Sequence, residues 1–139
     1  MKAFLILLTL IISNPLQADE LKKKSAIFHK IITSIVTSQT PKVYLHTEIE
    51  SLKKYSQGLA LVNECQDADL VIISSLNELP TSCEGKLLFG TKYSHLRDKR
   101  VIGAFFWQKG RPNIIFYKNR LEQHSITLNN NFLKYIEEE

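Results

Sequence analysis

No GxGxxG or Walker-type phosphate loop occurs in this 139-residue chain, and no G-x-S-x-G elbow. Neither a dinucleotide fingerprint nor an esterase-type nucleophile is therefore present. The four histidines, His29, His46, His95 and His124, form no HxH or HxxxH pair, so no metal set stands at ligand spacing. Ser94-His95 and His124-Ser125 are chain neighbours, but adjacent residues face apart on a helix and on a strand. No catalytic residue, metal or cofactor is assigned. No apolar run reaches the roughly 20 residues that cross a bilayer. Basic residues are only mildly in excess, giving a net charge of +4, and they are scattered. Nucleic acid would want a concentrated basic face with interleaved aromatics, so it is excluded as a partner.

The first residues carry an address instead. Lys2 gives a short positive region, and residues 3–12 are apolar apart from Thr9. Ser13, Asn14 and Pro15 then interrupt the run, and Leu16-Gln17-Ala18 offers a small residue for cleavage. That order is the pattern of a secretory signal peptide. Residues 1–18 are expected to be removed, leaving residues 19–139 as one domain in the periplasm, not inserted in the membrane. That length suits a single core.

Hydrophobic periodicity organises the rest. Residues 19–38 read as a helix with a wide apolar face, and residues 48–56 as a shorter one. Strands are expected at 43–46, 59–62, 68–73, 86–91, 100–107 and 114–118, with a short helical turn or loop at 76–80 and one helical turn at 93–97. The continuous apolar run Leu70-Val71-Ile72-Ile73 is typical of a strand buried on both faces. Residues 108–113 contain Gly110 and Pro112 and read as a hairpin loop. Residues 128–136 read as a terminal helix with Leu128, Phe132, Leu133 and Ile136 inward. Strands alternating with helical segments predict an α/β fold: a single three-layer domain with a mostly parallel sheet and an antiparallel C-terminal hairpin.

Only two cysteines occur, Cys65 and Cys83, 18 residues apart. Each precedes a strand, the third and the fourth. If those strands are parallel neighbours, both cysteines lie at one end of the sheet. Strands spaced roughly 4.8 Å apart bring them within the roughly 7 Å that a disulfide requires. Outside the cytoplasm a structural bridge is the expected outcome, and a redox-sensing pair is the alternative.

Two surfaces stand out as candidates. In Phe105-Phe106-Trp107 a strand alternates its faces, so at least one face is core. Phe106 and Trp107, with Lys109 and Arg111 on the adjoining turn, are the candidate partner-binding residues, since aromatic and Arg side chains anchor interfaces. Open α/β sheets also bind ligands beyond the carboxyl ends of their strands. Ser74, Ser75, Thr91 and Tyr93 lie there and form the alternative ligand site.

Several segments carry a family likeness. They are Cys65-Gln66-Asp67-Ala68-Asp69 with the run after it, the strand at residues 86–91, Ile102-Gly103-Ala104-Phe105-Phe106, and Ile114-Ile115-Phe116-Tyr117-Lys118-Asn119 after Gly110-Arg111. Phe132-Leu133-Lys134-Tyr135 sits where a final helix belongs. Together these pieces resemble the YfiR-like family of small periplasmic proteins, over roughly the second half of the chain. The resemblance implies a regulator that binds the periplasmic part of an inner-membrane diguanylate cyclase and holds it inactive. It leaves a homodimer open. The chain departs from the family in its short connection between the third and fourth strands and its longer turn at Arg111-Pro112-Asn113. It also has one cysteine pair where better-studied members have more, which weakens any carry-over of a redox switch.

Overall fold

A computed structural model describes residues 15–139. The elements are α1 (Pro15–Ile35), β1 (Lys42–Leu45), α2 (Glu50–Lys54), β2 (Ala60–Leu61), β3 (Leu70–Ile73), β4 (Leu88–Gly90), β5 (Val101–Gln108), β6 (Arg111–Tyr117), α3 (Lys118–Gln123) and β7 (Ile136–Glu137). Short 3-10 turns occupy Cys65–Asp67, Thr81–Cys83, Tyr93–Arg97 and Asn130–Tyr135. The seven strands form one sheet in the order β2-β1-β3-β4-β5-β6-β7. Only β5 and β6 are antiparallel; every other pair is parallel. This is the expected α/β class with its hairpin. Residues 1–14, which hold most of the expected signal segment, lie outside the described residues. Leu16-Gln17-Ala18 falls within α1.

Side chains alternate across the strands, so each strand feeds two cores. Leu70 and Ile72 join Phe28, Ile31 and Ile32 of α1 in one cluster, with Phe89, Ile102, Phe105 and Phe116. Val71 and Ile73 enter the other, with Leu88, Val101, Ala104 and Phe106. All four residues of β3 are buried. The first face is covered by α1, α2 and the segment around Phe132. Part of the second face is sealed by the 3-10 turns, through Cys65, Cys83 and Leu96.

The disulfide forms as its spacing predicts. β3 and β4 are parallel neighbours, and Cys65 and Cys83 are bridged with Cα atoms 5.1 Å apart. Both are buried. The bond ties together the two turns that enter these strands.

Three expectations give way. The loop at 108–113 is a two-residue turn, Lys109-Gly110, with φ of 53° and 73°, and Arg111, Pro112 and Asn113 belong to β6. Pro112 misled because it usually marks a turn. Here it pairs with Trp107, and on its other side β7 reaches only Phe116 and Tyr117. Alternate residues of an antiparallel strand turn their N–H away from the partner, and an outward N–H at Pro112 would meet no strand. The terminal helix is instead a 3-10 turn followed by β7. Asn129, Asn130 and Asn131 are poor helix formers, and the Asn129 N–H is claimed by Ser34 Oγ at 2.8 Å. Leu133, expected inward, is exposed. Lastly, the strand expected at 114–118 forms but ends at Tyr117, and Lys118 opens α3.

α3 delivers the buried Arg120. Its Nη1 donates to the carbonyls of Leu96, Asp98 and Val101 at 2.9, 3.0 and 2.8 Å. Its Nη2 donates to Glu139 Oε1 at 2.5 Å, and the guanidinium lies 4.5 Å from the Tyr117 ring centre. A buried charge needs such saturation to be tolerated. The guanidinium, followed by the Asn119 amide, holds the Glu139 carboxyl down to about 2 from its ordinary 4.5.

Two outcomes are expected. Replacing Cys65 and Cys83 together by Ala should lower the unfolding free energy by about 3 kcal/mol, read from the urea midpoint; an unmoved midpoint would show that the turns hold without the bridge. Because the Glu139 carboxyl is depressed in the folded state, its stabilisation is complete above about pH 4.5 and lost as pH falls towards about 2. In urea titrations, Glu139→Gln should flatten stability across that window relative to the parent.

A candidate binding surface at the carboxyl end of the sheet

Strands β1, β3, β4 and β5 run parallel, so their carboxyl ends share one end of the molecule. The strand order β2-β1-β3-β4-β5 places a switch point between β1 and β3, where chain connections leave in opposite directions. Such crevices are the usual ligand sites of open α/β sheets. The hairpin joining β5 to β6 projects from this same end. The two candidate sets of residues therefore occupy one end of the molecule, not two.

The partner-binding quartet divides between surface and interior. Phe106 is buried at 6 % exposure in the second core, so it is corrected from a contact residue to a packing residue. Its ring meets that of Tyr93 edge-on, with centres 5.7 Å apart. Trp107 is 52 % exposed and sits on the α1 side, its ring 6.5 Å from that of Phe105. Lys109 and Arg111 are exposed on the hairpin, and neither forms an ion pair among the described residues. Tyr93 is exposed at 57 % on the opposite face of the sheet. The end of β5 thus shows an aromatic ring on each side and free cations at its tip.

The ligand quartet is largely engaged within the fold. Thr91 Oγ1 donates to the Ile73 carbonyl at 2.8 Å, and Ser75 Oγ accepts the Asn77 N–H at 3.2 Å. His95 explains the arrangement. Its Nδ1 accepts the N–H groups of Thr91 and Lys92 at 3.0 and 3.2 Å. Its ring is buried over Gly90, where an added Cβ would lie 2.8 Å from the His95 Cβ. Burial, then the Lys92 charge, lowers the His95 pKa, against an opposing hydrogen bond with the Ser74 backbone. By accepting both N–H groups at Nδ1, the buried ring braces the turn after β4. Ser94 is exposed. Among the described residues no group of three His, Cys, Asp or Glu could hold a metal ion.

Beneath Trp107 lies a cavity of about 340 Å³. Its lining includes Leu21, Lys24 and Phe28 of α1 together with Ile49, Thr91 and Trp107. Ser51 lines it too, buried, with an Oγ that has no hydrogen-bond partner. The contribution of Leu21, Lys24 and Ile49 is missing from the sequence reading. The spacing of Leu21, Lys24 and Phe28 places them on one helical side, but only the crossing of α1 over β5 shows which strand they meet.

Phe106→Ala should cost about 3–5 kcal/mol of stability, while Trp107→Ala and Tyr93→Ala should each cost under about 1 kcal/mol. Equal losses in urea titrations would place Trp107 in the core. In comparisons with family models, curated proteins and solved structures, the chain matches none.

Proposed function

We propose that this protein is a periplasmic regulatory binding protein that acts by docking and not by catalysis. Cleavage after Ala18 would leave Asp19 and Glu20 at the start of a shortened α1, where acidic side chains suit the positive end of the helix. The buried Cys65–Cys83 bridge fits an oxidising compartment. No described helix is long and apolar enough to cross a membrane.

The observation that carries the docking reading is Trp107, a large aromatic half exposed near the tip of the β5–β6 hairpin beside Lys109 and Arg111, which make no ion pair among the described residues. Aromatic and Arg side chains of this kind carry most of the energy in protein interfaces, and the two cations favour an acidic partner surface. The class of partner rests on the YfiR-like resemblance: an inner-membrane sensor of the diguanylate cyclase type. Docking would repress it by binding its inactive conformation more tightly than its active one, since a partner shifts an equilibrium only by its differential affinity. The cavity beneath Trp107 favours a second reading, a small-ligand sensor of the bacterial envelope.

Affinity capture of the tagged mature protein from cell envelopes, followed by mass spectrometry, tests the choice. A membrane cyclase recovered with the parent and lost with Trp107→Ala or Arg111→Glu supports docking through the hairpin. Capture that survives both substitutions sinks that surface. Absence of any protein partner moves the function to ligand sensing.

A further inference from the structure

A second concavity lies along the other flank of α1, apart from the cavity beneath Trp107. It has a volume of about 620 Å³ and is bounded by α1, the start of β6 and residues 129–135. Its apolar lining comes from Ile27, Ile114 and Tyr135, which are only partly buried against the core. Its polar lining is Lys30, Lys134 and the three consecutive asparagines 129–131. No acidic residue lines it.

The walls are tied in place. Ser34 Oγ of α1 accepts the Asn129 N–H at 2.8 Å, and the Phe132 N–H donates to the Asn129 carbonyl at 2.9 Å. Phe132 is buried and packs against Phe116 and Tyr135, with ring centres 6.2 and 6.1 Å apart. The groove is therefore preformed, as small-molecule sites usually are. Its polar groups are unspent. Lys30 and Lys134 make no ion pair, and the side-chain amides of Asn129, Asn130 and Asn131 make no hydrogen bond, among the described residues. The Lys134 ammonium rests 5.1 Å from the Tyr135 ring centre, at the boundary of apolar and polar lining.

We infer that this groove binds a small amphipathic carboxylate, with its anionic head between the lysines and asparagine amides and its apolar body on Ile27, Ile114 and Tyr135. Two cations without a counter-charge select an anion, and amide N–H groups donate to carboxylate oxygens. An apolar floor adds affinity only for a ligand that has hydrocarbon to bury. A bare inorganic anion would leave that floor unused.

The test is an NMR titration of the oxidised, folded protein with octanoate and with phenylacetate. Acetate supplies the head alone, and n-octanol supplies the apolar body alone. Saturable shifts at the side-chain amides of residues 129–131 and at Ile114 are expected with octanoate or phenylacetate. The better of the two tells a lipid-derived chain from an aromatic metabolite. Acetate and n-octanol should each bind at least about tenfold more weakly, and Lys30→Gln with Lys134→Gln should weaken the carboxylate at least about tenfold. The inference is overturned if neither probe shifts the groove, if acetate or n-octanol binds as well as the amphipathic acids, or if the double variant binds unchanged.

Discussion

A sheet whose central strands are dry on both faces needs two covers, and the described residues supply only one long helix. Burial of Leu70, Val71, Ile72 and Ile73 at every position imposes that requirement. α1, with 21 residues, meets it on one face. The other face relies in part on 3-10 turns, which are too short to hold themselves together by helical cooperativity. Cross-links take over that task. The Cys65–Cys83 bridge pins the turns at the amino ends of β3 and β4. His95 pins the turn leaving β4 through two amide hydrogen bonds. Arg120 gathers the carbonyls before and within the start of β5. Three different chemistries thus do what a second layer of long helices does in larger α/β proteins.

The parts legible in the sequence are those whose signal is local and periodic. The apolar run of β3, the amphipathic face of α1 and the alternation of β5 each express their burial directly. The two cysteines were readable because their positions relative to strands made parallel neighbours a geometric test. Pro112 misled because its tolerance depends on the strand beside β6, and that strand is remote in sequence. The residues before β7 read as a helix because Leu128, Phe132 and Ile136 keep helical spacing. The asparagine run and the hydrogen bond from Asn129 to Ser34, 95 residues away, decide otherwise. Arg120 gave no signal, since its partners come from three separate segments.

The same limit applies to the site. Alternation assigned Phe105 and Phe106 to opposite faces but could not tell that both faces are core. It is the end of the strand, not its facing, that leaves Trp107 exposed. The two proposed readings also converge on one residue. The Trp107 ring is both half exposed and part of the lining of the cavity beneath it, so a ligand there and a partner at the hairpin would meet the same side chain.

Both outermost strands of the sheet, β2 and β7, are two residues long. An edge that short offers an incoming chain almost no backbone ladder to extend. On one margin the next strand is nevertheless uncovered: β7 pairs only with Phe116 and Tyr117, so among the described residues no strand lies outside residues 111–115 of β6. Pro112 lies within that stretch and carries no N–H to offer, so the uncovered edge is interrupted where an incoming strand would need a donor, one of the devices by which sheets discourage pairing with another chain.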